Sequence, residues 1–151
     1  MTLELRETAP FAPEALELIA GSEAELAALY PAEVRFAFSP QELVDAGVRF
    51  LVAWRDGVAL GCGGVAPCAG YGELKRMYVR PEGRGSGVAP ALLARLEEIA
   101  AGLALPLMRL ETGADSTAAI GLYAKCGYRR RGPFGAYTEN GSSVFMEKPL
   151  G

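Results

Sequence analysis

Apolar and polar residues alternate over residues 2–7 (Thr-Leu-Glu-Leu-Arg-Glu), the period of a short half-buried strand. From about Ala12 to Leu29 the apolar positions recur at helical spacing, with an interruption at Gly21-Ser22. Ser22 followed by Glu25 resembles a capping box, so the pattern predicts two consecutive helices in this stretch. A Pro- and Phe-containing loop, Tyr30 to Pro40, precedes a weak helical turn around Gln41–Ala46. Val48–Trp54 and Ala59–Val65 are β-type runs flanking Asp56-Gly57, a strong hairpin signal. A further strand is predicted from about Gly72 to Val79, antiparallel to the one before it.

Val88, Leu92, Leu96, Ile99 and Leu103 then recur at helical intervals, which predicts an amphipathic helix packed on the sheet. Pro90 falls in its first turn, where a missing N–H costs little. Leu107–Glu111 reads as a strand, Ser116–Lys125 as a helix ending before Gly127, and Tyr128–Arg130 and Ser143–Lys148 as closing strands. The predicted order is β-α-α-β-β-β-α-β-α-β-β. This is an α/β chain with a mixed (α+β) sheet and helices on its faces, in which one βαβ unit makes two neighbouring strands parallel.

A chain of 151 residues, half of them hydrophobic, fits one domain spanning 1–151. The net charge of −3 argues against a broad nucleic-acid surface, although a local basic strip can still hold a small anion. Histidine is absent, which excludes Ser-His-Asp and Cys-His catalysis and the common zinc sites. The three cysteines have no metal-ligand spacing, so no metal is expected. The first residues carry charges where a signal peptide would be apolar, and no run is long enough to span a bilayer; a cytoplasmic protein with no membrane partner is expected.

The chemistry concentrates between Glu73 and Ala89, where a β-type run passes through a basic, glycine-rich turn into a helix. Gly83, Gly85 and Gly87 allow a tight turn and close approach of a ligand, and the helix offers its unpaired first N–H groups to an anion. No lysine follows these glycines as a P-loop requires, and Pro90 stands where a Rossmann fingerprint needs glycine. Arg84-Gly-Ser-Gly87-Val-Ala89 instead matches Arg/Gln-x-x-Gly-x-Gly/Ala, and Ala119-Ile-Gly-Leu-Tyr123-Ala-Lys-Cys-Gly127-Tyr128 resembles Asn-x-x-Ala-x-x-Leu-Tyr-x-x-x-Gly-Phe. With these two motifs in the right order and elements, the chain resembles the GNAT family of N-acetyltransferases along nearly its whole length. Ser116 stands where the family frequently has Asn.

The resemblance implies a GNAT fold, acetyl-coenzyme A as co-substrate and transfer of its acetyl group to a primary amine. It places Arg84, Gly85, Ser86, Gly87, Val88 and Ala89 on the pyrophosphate and Ser116 on the coenzyme. Met77 and Val79 would pair with the pantetheine arm, the Val79 N–H polarising the thioester carbonyl. Tyr123 would be the general acid that protonates the leaving thiolate, and Glu73 the general base, on the same strand face as Val79 by strict alternation. The acceptor would meet the loops around residues 30–45 and 131–140, where Glu33, Arg35, Phe36 and Phe134 suit a small amine or amino-acid-like molecule. There Arg35 would hold a carboxylate and Glu33 an ammonium. A protein lysine or amino terminus as acceptor, and a non-catalytic acyl-coenzyme A sensor, stay open at this point. A weak homodimer is compatible with the sequence.

Overall fold

The computed structural model of the chain describes residues 2–151. The order of elements is β1 (Leu3–Glu7), α1 (Pro13–Leu29), α2 (Pro40–Asp45), β2 (Arg49–Arg55), β3 (Val58–Cys68), β4 (Tyr71–Val79), α3 (Val88–Gly102), β5 (Leu107–Gly113), α4 (Thr117–Lys125), β6 (Arg129–Arg131) and β7 (Ser143–Pro149). All seven strands form one sheet in the order β1-β2-β3-β4-β5-β7-β6. Asp56 and Gly57 both take positive φ and close the β2–β3 hairpin as the sequence predicts. Among the described residues no helix is long and apolar enough to cross a membrane.

The helices before β2 differ from the expectation. Residues 13–29 form one continuous helix, and the second helix is α2, capped by a reciprocal Ser39–Glu42 box. Gly21 and Ser22 serve tertiary contacts inside α1 and do not break it. A Cβ on Gly21 would lie 2.9 Å from the Tyr78 hydroxyl, and the Ser22 Oγ accepts from Arg76 Nη1 at 3.3 Å. Pro13 in the first turn starts the helix.

Helices pack on both faces of the sheet. Leu92, Leu93 and Leu96 of α3 meet Leu51, Leu74, Leu110 and Met146 on one face. Ala15 and Leu18 of α1, with Leu43 of α2, meet Phe50, Val52 and Cys62 on the other.

Two irregularities in β4 shape the middle of the sheet. Arg76 has φ of +55°, and the β3–β4 register shifts opposite it, between Cys62 and Gly64. This is a β-bulge, and it reverses the alternation of side chains beyond it. The second irregularity is where β4 meets β5. The strands run parallel but pair only at Gly72–Met108 and Glu73–Arg109, although β4 continues to Val79 and β5 to Gly113. Past that point they separate, and the β5-facing edge of β4 is left free.

Candidate active site

The gap between the separated strands opens into a cleft of about 680 Å³. Met77 and Val79 of β4 line one side, and Ser116 and Tyr123, at the start and within α4, line the other. Its end is the glycine turn: Gly85 and Gly87, with φ of +75° and +86°, bring the chain into α3, and Val88 and Ala89 face the cleft. No side chain caps α3, so its first N–H groups and the positive end of its dipole are available to an anion.

The predicted charged and hydroxyl groups of the turn act differently from one another. Arg84 reaches back along the cleft: its Nε donates to the Val79 carbonyl at 2.9 Å and its Nη2 pairs with Glu25 of α1. Ser86 does not line the cleft. Its Oγ donates to the Gly83 carbonyl at 2.6 Å, and Arg55 of β2 donates to its Oγ and carbonyl at 3.0 and 3.2 Å. Ser86 therefore braces the turn, with Arg55 as a partner that sequence spacing does not reveal.

Ser116 lines the cleft, but its Oγ shares a 3.1 Å hydrogen bond with the Tyr30 hydroxyl. That hydroxyl also accepts from the Asp115 N–H at 3.0 Å. Tyr30, at the end of α1, thus ties this helix to the start of α4 across the gap. Gly113 makes room for it, since a Cβ there would fall 1.9 Å from the hydroxyl. The sequence reading placed Tyr30 only at the beginning of a loop.

A second, smaller cavity of about 130 Å³ lies beyond Tyr123. Met77, Thr112 and Tyr123 border both spaces, so Tyr123 stands where the two meet. It is only 6% exposed. Burial pushes its phenol well above the ordinary value, with Cys126 and Glu111 adding smaller effects in the same direction. The hydroxyl is therefore protonated throughout the neutral range and able to donate.

Glu73 and Lys75 of β4 form a 2.9 Å ion pair in this cavity, their side chains 10% and 6% exposed. The Tyr137 hydroxyl completes a triangle, donating to Glu73 Oε2 at 2.6 Å and accepting from Lys75 at 3.0 Å. The Lys75 ammonium also lies 4.0 Å above the Phe38 ring. Strict alternation put Glu73 on the face of Val79, and the bulge at Arg76 overturns this. Leu74, Met77 and Val79 all pack toward α3, whereas Glu73 and Lys75 lie on the other side with Tyr137.

The cavity contains a second carboxylate that the sequence reading passed over. Glu111, near the end of β5, accepts from Ser143 Oγ at 2.6 Å, and Asn140 fixes Ser143 in turn. Burial pushes the Glu111 carboxyl up, more than the Ser143 hydrogen bond and Lys75 pull it down. The signal for it was faint: Met108 and Leu110 face the core, so Arg109 and Glu111 read as a solvated strand face.

The predicted acceptor residues divide. Arg35 and Phe36 line the cavity; Glu33 is exposed on a neighbouring turn and does not. Phe134 is buried in an aromatic cluster with Tyr71, Tyr137 and Phe145 and supports the cavity from behind. Glu23 pairs with Arg35 at 3.0 Å and with Arg76 at 2.6 Å, while the Arg35 Nε–H is buried without a partner among the described residues.

Comparison with known proteins agrees with this geometry. Residues 13–128 match the Acetyltransferase (GNAT) family. An IAA acetyltransferase of Azospirillum brasilense is 43% identical over 143 residues, covering 93% of this chain and 94% of that protein. The structure of a proposed acyl-CoA N-acyltransferase from Klebsiella pneumoniae superposes with a TM-score of 0.84 at 36% identity, over 99% of this chain and 98% of that one. The PaiA N-acetyltransferase of Thermoplasma acidophilum, solved with coenzyme A, shares the fold at a TM-score of 0.76 and 23% identity, with 99% of each chain covered. A cleft along a parted parallel strand pair, a glycine turn at a helix start and a sequence match over most of the chain lead to one conclusion: the protein belongs to the GNAT acetyltransferase family and is an N-acetyltransferase.

Proposed function

We propose that the protein transfers the acetyl group of acetyl-coenzyme A to the primary amine of a small, amino-acid-like acceptor. The observation that carries this reading is the meeting of a long cleft and a small polar cavity at Tyr123. The dimensions and donors of the cleft fit the coenzyme. Main-chain N–H groups of Gly85, Gly87, Val88 and Ala89 would hold the pyrophosphate together with Arg84, with Ser86 keeping the turn in shape. The free edge of β4 at Met77 and Val79 would take the pantetheine arm, the Val79 N–H polarising the carbonyl, and Ser116 would border it from α4. When bound, the coenzyme supplies an activated thioester.

The acceptor occupies the small cavity, its amine directed at Tyr123 and its proton passing to a cavity carboxylate. Tyr123 gives its proton to the departing sulfur. Burial disfavours the thiolate as well as the phenolate, so this transfer stays matched inside the site. Arg35, a cation that lines the cavity, supports an acceptor that carries a carboxylate. A cavity of about 130 Å³ favours a free small molecule over a protein side chain.

The test is calorimetric titration with coenzyme A, followed by thiol release from acetyl-coenzyme A in the presence of L-amino acids, their amides, simple amines, peptides and IAA. IAA is included because the Azospirillum relative is named for it. Release that depends on a small amine is expected. Failure to bind coenzyme A would end the proposal, and coenzyme binding without turnover on any acceptor would favour a sensor.

A further inference from the structure

The small cavity holds two carboxylates, and the acetyl-transfer reading above leaves open which one receives the amine's proton. Three observations separate them. The first is position along the gap. Glu73 sits at the last paired point of the parallel strands, opposite Arg109, at the closed end. Glu111 lies two residues farther along β5, about 7 Å toward the opening at the usual strand rise, beside Thr112, which borders both cavities.

The second is engagement. Glu73 Oε2 accepts from the Tyr137 hydroxyl and forms an ion pair with the Lys75 ammonium. A proton placed there would break an ion pair that is almost wholly removed from water, leaving the Lys75 ammonium uncompensated. Glu111 has no ion-pair partner among the described residues: its one protein hydrogen bond runs from Ser143 to Oε2, and its Oε1, like that of Glu73, is free to take a proton. The third is support. Ser143 is held at its Oγ by Asn140 Nδ2, which donates to it, and at its N–H by Asn140 Oδ1, which accepts, so the carboxylate is fixed at one oxygen and available at the other.

We propose that Glu111, and not Glu73, is the proton acceptor for the amine. The ammonium of the bound acceptor gives a proton to Glu111 Oε1. The nitrogen lone pair then forms the C–N bond at the thioester carbonyl carbon. As the C–S bond breaks, the sulfur takes its electron pair and receives the Tyr123 proton. The acetylated nitrogen gives up its remaining excess proton to solvent, solvent reprotonates Tyr123, and the Glu111 proton passes to solvent once the products leave. Glu73 belongs to the cavity wall, where with Lys75 and Tyr137 it positions the acceptor. The upward shift of the Glu111 carboxyl through burial suits this role, since it narrows the gap to an ammonium.

The experiment compares pH profiles of kcat/KM for the wild type, Glu111→Gln and Glu73→Gln with the fastest acceptor of the panel above. Coenzyme A affinity is measured on each variant by calorimetry. The groups facing Glu111 are Glu73 and Lys75 on β4, Tyr123 on α4, Tyr137 in the loop before β7, and Arg35 across the cavity. Glu111→Gln is expected to lose about 100-fold near neutral pH, with the loss shrinking as alkali deprotonates the amine and coenzyme affinity unchanged. Any loss in Glu73→Gln should be the same at every pH.

Ser143→Ala gives a second arm that keeps the carboxylate in place. Removing the hydrogen bond to its charged form should move the acidic limb of the profile to higher pH. Three results would overturn the assignment: a wild-type profile for Glu111→Gln, a pH-dependent loss in Glu73→Gln instead, or an unmoved limb in Ser143→Ala. A wild-type protein that binds no coenzyme fails earlier, at the acetyl-transfer reading, and takes this inference with it.

Discussion

The Tyr123 hydroxyl has no hydrogen-bond partner among the described residues, yet the residue is nearly buried and borders both cavities. A tyrosine placed only for packing would lose little when its hydroxyl is removed. As an acid it should lose transition-state stabilisation instead. Tyr123→Phe is expected to lower kcat at least about tenfold, roughly 1.4 kcal/mol, while calorimetry shows coenzyme affinity unchanged. A wild-type kcat would return Tyr123 to the core. The same scale shows how site residues escape a sequence reading. Tyr123 lies inside a motif whose spacing marks it, whereas Glu111 is an ordinary strand residue until β4 parts from β5 and Ser143 arrives from β7. Glu33 carried the right chemistry but lies on a turn outside the cavity, a placement that no local pattern encodes.

At the scale of elements, the contact between α1 and α4 decides how wide the coenzyme cleft can be. It rests on Tyr30, whose hydroxyl meets Asp115 and Ser116, and on the absence of a side chain at Gly113. Gly113→Ala would drive a methyl group into the Tyr30 ring and should destabilise the protein by about 1–3 kcal/mol in urea denaturation. In a Tyr30→Ala background the same change should cost far less, and the difference measures the coupling. Additive effects would show that the strut carries no strain. The amphipathic helix α3 makes a simpler case, because its apolar positions were legible from periodicity alone. Leu96 is fully buried between α3 and the sheet, so Leu96→Ala should cost about 2–5 kcal/mol in the same assay.

For the molecule as a whole, ligand binding and folding are linked. The cleft takes walls from α1, β4, the glycine turn and α4, which only the folded chain brings together. Coenzyme A at 100 times its dissociation constant should therefore stabilise the native state by about 2.7 kcal/mol, read as a rise in Tm. Cys62 offers a check on global integrity. It is fully buried between the sheet and α1, and burial pushes its thiol up to about 12. Its reaction with a thiol reagent should appear only with global unfolding; rapid labelling of the native protein would contradict this packing.

The features that sequence alone determined are local ones. The Asp56-Gly57 hairpin, the helical spacing from Val88 to Leu103 and the glycine turn before it follow from backbone preferences and periodicity within a few residues. So does the family resemblance, since both motifs are short and continuous. Tertiary structure decided whatever depends on residues distant in the chain. Gly21 and Ser22 look like a helix break until Tyr78 and Arg76 occupy their positions. The bulge at Arg76 turns Glu73 away from the face of Val79, and the early end of the β4–β5 pairing creates the gap. A strand's period is a local property, but its register and its partners are set by packing across the sheet, and at this site the register places the carboxylates.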